Sequence, residues 1–321
     1  LVKAIPFSFF AITKVQSFVY KHGMREQFTN LEELGRWILN STDYETGKEW
    51  LEEGTRCDEV YSHKGVIFID YYHPLYPPLL REIYDPPLVL FCLGNVELLR
   101  SDWDAIVGTR KASFISIFAT QKLVEMNRFD LQAIVSGMAL GIDREAMEVA
   151  LDSNLPTLGV LGTPVHMEYP IGNRSLYLRM KSSSMGLLVS ELLPYDNYAK
   201  WTFPKRNRII TGISSRIFLM EAPIQSGAMS SAHSAIEQNK DLYVFDHELQ
   251  SRNDGGKSLI LDGANELKLG DIIKEGNIEN IFRQSGSNNI AESELERLAK
   301  IKKMEGLGRA QALGSGFYYI F

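Results

Sequence analysis

The chain has 321 residues, a formal net charge of −6, 45% hydrophobic and 23% charged residues, the make-up of a soluble globular protein with room for more than one domain. That acidity excludes a non-specific nucleic-acid coat, so any polyanion must meet a local patch. The two cysteines, Cys57 and Cys92, form neither a CxxC pair nor a ligand cluster, which excludes a disulfide framework and a zinc site and fits a reducing compartment.

At the N-terminus, Ala4–Ile12 is apolar and follows Lys3, as in a signal peptide, but no small-residue cleavage site follows it. It runs on into TKVQSFVYKHG, and the expectation is a cytoplasmic protein. No apolar run reaches the length of a membrane span, so no membrane partner is expected. The spacing in FAITKVQSFVYKHG and LEELGRWILN predicts helices and makes 1–60 a small helical region. Residues 61–103 read as a connecting segment. Within it GVIFIDYYHP predicts a strand stopped by Pro74, and YPPLLREIYDPPLVLFCLG is broken by two proline pairs.

From 104 to 285 a regular alternation sets in. AIVGT, AIVSG, TLGVLG, GLLVSE, RIFLMEA and DLYVFD read as apolar strands, with helical stretches such as SFISIFATQKLVEMN, which Ser113 can cap, and GIDREAMEVALD between them. Continuous apolar strands alternating with helices imply βαβ units. The predicted fold is α/β, an extended Rossmann-like doubly wound and mainly parallel sheet. Residues 286–321 make a short C-terminal extension, in which ELERLAKIKKM predicts a helix and LGSGFYYIF a β-wing.

Ligands of such sheets bind beyond the carboxyl ends of the strands. Three strands there run into glycine-bearing turns that open helices, at 107–113 (VGTRKAS), 136–143 (SGMALGID) and 222–232 (APIQSGAMSSA). One such turn is only a tight connection. Three along one edge, with Arg110 in the first, predict an anion-binding crevice at helix N-termini. GxGxxG is absent. SRNDGGKS at 251–258 approaches a P-loop, but Ser251 replaces its first glycine and it begins five residues past the strand end at Asp246, so ATP hydrolysis is not expected.

The chain's densest cationic stretch is FPKRNRIITGIS, residues 203–214, preceded by Lys200 and Trp201. Cations neutralise phosphates and aromatic rings stack on bases, the two ingredients of single-strand binding. A charge cluster is ordinarily a solvated helix face. Here helical spacing puts Lys205 and Arg208 on one face and turns Arg206 well away, so at least one of the three points at the crevice. Asp143, Glu191 and Glu221 lie near strand ends, where a carboxylate can do acid–base work. A structural role suits them better: Asp143 as a helix N-terminal charge, Glu191 and Glu221 as partners of Arg206 and Arg208. His233 has no second ligand at metal spacing. His166 and Tyr169 flank a loop that can line the pocket. No catalytic residue, cofactor or metal is expected.

From about Tyr76 to Leu267 the chain resembles the DprA/Smf family of DNA-processing proteins, through YPPLLREIYDPPLVLFCLG, IVGTRKAS, IVSGMALGID, VLGTPVHMEYP, FPKRNRIITGIS, SGAMSSA and GGKSLILDGA. The resemblance implies single-stranded DNA binding without enzymatic turnover, protection of incoming strands in natural transformation, loading of the RecA recombinase, and a homodimer. By motif, Arg110 takes the place of the family's turn arginine, and Lys200 and Phe203 its lysine and stacking phenylalanine. Arg206, Asn207 and Arg208 are its RNR stretch, and Ser136–Gly137 and Ser226–Gly227 its small-residue turns. Met147 stands where members commonly have histidine. The N-terminal SAM-like module is only loosely matched, and 286–321 reads as a remnant of the winged helix that ends many members. The alternative is a nucleotide-binding or phosphoribohydrolase-like enzyme using the same crevice, though PGGxGTxxE is absent.

Overall fold

The computed structural model describes residues 65–192 and 198–273, and beyond them only the short stretches 17–21, 24–28, 61–63, 277–280, 303–305, 310–314 and 317–320. A ten-stranded sheet dominates. Its strands are β3 (Tyr61–His63), β4 (Val66–Asp70), β5 (Val89–Gly94), β6 (Trp103–Val107), β7 (Ala133–Ser136), β8 (Thr157–Val160), β9 (Gly186–Ser190), β10 (Ser214–Leu219), β11 (Asp241–Phe245) and β12 (Asn265–Leu267). They lie in the order β12-β11-β10-β6-β7-β8-β9-β5-β4-β3. From β12 to β9 every pairing is parallel; β5, β4 and β3 add an antiparallel margin. The predicted mainly parallel sheet is observed, and it reaches back to residue 61. The chain winds from β6 outward to β9, then returns past β6 to lay down β10, β11 and β12, the double winding of a Rossmann-like fold.

Period-two alternation within the strands divides the core in two. Ala105, Val107, Val135, Ile217 and Leu219 face one apolar layer, while Ile106, Ile134 and Phe218 face the other. Both faces are therefore covered by helices, which is why the strands read as unbroken apolar runs. The helices are α1 (Pro78–Arg81), α2 (Phe114–Met126), α3 (Ile142–Asp152), α4 (Arg174–Ser182), α5 (Thr202–Ile213), α6 (Gly227–Glu237), α7 (Asp254–Leu261) and α8 (Leu269–Ile272). On one face α2, α3 and α8 pack through Phe118, Ala146 and Ile272; on the other α1 and α5 pack through Leu80, Ile209 and Ile210. Gly212 lets α1 and α5 meet closely, since a Cβ there would lie 2.9 Å from both Leu80 and Ile83. Met147 is a fully buried member of the first layer.

One expectation is overturned at the N-terminus. Within the stretch read as helical, Ser17–Lys21 (β1) and Met24–Phe28 (β2) pair antiparallel, with Ser17 opposite Phe28 and Lys21 opposite Met24. The β-favouring run Phe18-Val19-Tyr20 outweighs the helical spacing. The rest of 1–60, including LEELGRWILN, lies outside the described residues. So does most of the predicted C-terminal helix. Towards the C-terminal end β14 (Ala310–Gly314) and β15 (Phe317–Ile320) pair antiparallel, with β13 (Asn277–Asn280) on the other side of β15.

Candidate nucleic-acid interface

Beyond the carboxyl ends of β6, β7 and β8, three loops and the start of α5 line an open cleft. Arg110 comes from the loop after β6, Gly137–Leu140 from the loop after β7, and Leu161–Thr163 with Tyr169 and Pro170 from the loop after β8; Phe203 and Arg206 reach in from α5. The helix is pinned there by Thr202, whose hydroxyl approaches Gly162 O at 2.6 Å and Ala199 O at 2.7 Å. Gly162 is what lets Phe203 sit so close, because a Cβ on it would lie 2.7 Å from Phe203 Cδ1 and 3.1 Å from its Cα. Gly162→Ala is therefore expected to push the ring and the first turn of α5 outward. Thermal stability should change modestly while any ligand gripped by Phe203 is lost, which melting and binding curves on one preparation would separate.

Phe203 belongs to an aromatic group. Its ring centroid is 5.4 Å from that of Tyr169, tilted 40°, and 6.1 Å from that of Tyr198, edge-on. Rings this close leave no room for a base between them, so the two tyrosines brace Phe203 and a base can stack only on the side open to the cleft.

Arg206 forms the floor and is 6% exposed. It donates from Nη1 to the carbonyls of Gly137 and Val160, and from Nε to Asn207 Oδ1. Beside it Asp143, in the first turn of α3, is 5% exposed and accepts from the backbone amides of Gly137 (3.1 Å), Gly108 and Ala139 (both 3.4 Å). Burial pushes the Asp143 carboxyl above its ordinary value, against the pull of Arg206 and the amides. Burial likewise lowers Arg206 to about 10, against the attraction of Asp143. Gly137 makes this contact possible: a Cβ there would lie 2.7 Å from Arg206 Nη2 and 2.8 Å from Asp143 Oδ2.

This arrangement corrects the expectation that the glycine turns present free amides to a phosphate. In the first two turns Asp143 already supplies the anion. In the third, Ser226 Oγ accepts from Met229 N as the cap of α6, and the turn does not line the cleft. Other expected contact residues are also committed elsewhere. Ser136 is fully buried and donates its hydroxyl to Ile106 O at 2.6 Å. Asn207 links Arg206 to Gly227 O. Arg208 lies off the cleft, 14% exposed, bound to Asp85 Oδ2 at 3.0 Å and Glu191 Oε2 at 2.6 Å. Lys200 is exposed just ahead of α5. Of the residues expected from sequence, Arg110, Gly137, Phe203 and Arg206 thus meet at one cleft.

The carboxylates take the structural roles expected, with one change of partner. Glu191 binds Arg208 and, at 3.6 Å, Lys205. Glu221 is fully buried and accepts from Ser113 N and Oγ at 2.8 and 2.7 Å, so it pairs with no arginine. Ser113 holds the N-cap position of α2 but spends its hydroxyl on that carboxylate and on Ser116. Neither glutamate lines the cleft. His233 is exposed on α6. In the P-loop-like stretch, Asn253 ties Ala222 N to Phe245 O, and Gly255 permits close packing against Ala222 O. No group of three metal-ligating side chains, and no helix long and apolar enough to cross a membrane, occurs among the described residues.

Comparison with known proteins adds to this geometry. The family model for DNA recombination-mediator protein A matches residues 67–277. Protein Smf of Borreliella burgdorferi is 34% identical over 223 residues, 69% of this chain and 68% of that one. DNA processing protein DprA of Streptococcus pneumoniae is 35% identical over 202 residues, 62% and 71% respectively. Its solved structure superposes with a TM-score of 0.61 at 28% identity, covering 78% of this chain and 87% of that one. DNA processing protein A of Helicobacter pylori, solved for its single-stranded DNA binding mode, gives a TM-score of 0.55 at 27% identity, covering 75% and 96%.

Proposed function

The chain belongs to the DNA recombination-mediator protein A family, and from that premise we propose that it binds single-stranded DNA in the cleft between Arg110 and Phe203. The observation that carries this reading is the meeting, in one cleft, of an exposed guanidinium, a braced aromatic ring and a buried arginine floor. Arg110 takes a backbone phosphate as a planar fork, Phe203 takes a base, and Arg206 holds the loops after β7 and β8 in place through their carbonyls. Such a grip is nearly indifferent to sequence, because every base has a π-face. Lys200, exposed just ahead of α5, offers a further phosphate contact next to the cleft.

Oligonucleotide binding of wild type and Arg110→Ala across a salt series tests this. The variant should bind more weakly, with the slope of log affinity against log salt shallower by about 0.7, one phosphate contact on a single strand. An unchanged slope and affinity would remove Arg110 from the interface.

Protection of incoming strands, delivery to a RecA-type recombinase and a homodimeric state are proposed on the family likeness. Light scattering over a concentration series tests the last of these: twice the chain mass is expected, and a constant single-chain mass contradicts it.

A further inference from the structure

Trp201 is 63% exposed, whereas Trp103 in the sheet is 1% exposed. An indole in water at a helix start is a poor use of a large apolar side chain unless something covers it. Its backbone is well fixed. It is the N-cap of α5, its carbonyl accepts from Lys205 N at 3.3 Å, and the next residue is pinned to Gly162 by the Thr202 hydroxyl. The helical turn places Trp201 and Lys205 on one flank, while Phe203 faces the cleft on the other.

That outer flank has a net positive balance. Glu191 and Asp85 are held mainly by Arg208, at 2.6 and 3.0 Å, leaving Lys205 with a 3.6 Å contact to Glu191 and a side chain 46% exposed. Lys200, the residue before Trp201, is exposed as well. Tyr198, 38% exposed, sits at the cleft edge with its ring against Tyr169 and Phe203, three residues before Trp201 in the chain.

We infer that the outer flank of the α5 start is a second stacking station for the same single strand as it leaves the cleft, with a base on Trp201 and phosphates on Lys200 and Lys205. The inference rests on the cleft reading above and extends it by naming the exit path. Its occupant is an unpaired polynucleotide because charge and aromatic surface occur together and continue directly from the cleft; a protein partner would account for the indole but not for the two lysines beside it.

Oligothymidylates of about four and about sixteen nucleotides distinguish the two stations. Trp201→Ala should bind the short oligomer as wild type does and the long one about tenfold more weakly, with Trp201→Phe restoring most of the loss. Lys205→Ala should make the salt slope shallower by about 0.7 for the long oligomer alone. Equal affinity of Trp201→Ala and wild type for the long oligomer, or an equal loss at both lengths, overturns the second station while the cleft stands. Failure of wild type to bind either length overturns the cleft and this path together.

Discussion

Arg206→Ala is expected to lose about 3–5 kcal/mol of folding stability, the cost of losing its charge-assisted hydrogen bonds to two buried carbonyls and the positive charge near buried Asp143, and with it roughly 10 °C of Tm. The substitution takes the positive charge of Arg206 from beside buried Asp143, and deprives the carbonyls of Gly137 and Val160 of their donor. This makes Arg206 a residue whose loss removes the cleft along with its charge, so weakened DNA binding in this variant reports folding. The pH dependence has a definite sign. Burial already raises the Asp143 carboxyl above 3.8, and without Arg206 it rises further. A carboxyl with a raised folded value holds its proton longer in the native state. Stability therefore falls as pH rises from the ordinary aspartate value through the raised one. The deficit of Arg206→Ala against wild type should be smallest in acid and largest at neutral pH. Arg206→Met with Asp143→Asn should recover part of it by removing both charges. A deficit that is small and flat with pH would mean that Arg206 does not hold the floor.

Phe203→Ala is expected to weaken single-strand binding by about 1–3 kcal/mol, one base–aromatic stack, which is about tenfold to a hundredfold. The salt slope should stay as in wild type because no cation is removed. Phe203→Leu should behave like alanine, since it keeps apolar bulk but no π-face, while Phe203→Tyr should keep most of the affinity. Melting curves of all three should lie near wild type, because the ring is half-buried and Thr202 still anchors the helix. Leucine restoring full binding would replace stacking with simple apolar contact.

The parallel sheet was legible in the sequence because strands such as AIVGT, GLLVSE and RIFLMEA are apolar on both faces, and only doubly covered strands read that way. The opposed directions of Arg206 and Arg208 followed from helical spacing. Their partners did not. Glu191 is distant in sequence from Arg208, which it binds, and Asp143 from Arg206, whose charge it feels, and only the winding of the sheet brings each acid near its arginine. The phosphate-facing amides failed as an expectation for the same reason: nothing local shows that a carboxylate six residues past Gly137 folds back onto it. Tyr169 could be placed near the pocket but not its contact with Phe203. Gly162 carried a faint signal in VLGTP, where glycine ends a strand. At the N-terminus SFVYKHG satisfied two periodicities at once, and the strand pair prevailed over the helix.

The most direct test of an unpaired strand entering the cleft is the anisotropy-measured affinity of wild-type protein for one labelled sequence, first as a single strand and then annealed to its complement, at low and moderate salt. Stacking on Phe203 requires an unstacked base, so the single strand should bind at least about tenfold more tightly than the duplex at both salts. Equal affinity for the two forms would mean that only phosphates are being read, and the cleft would not be the binding site.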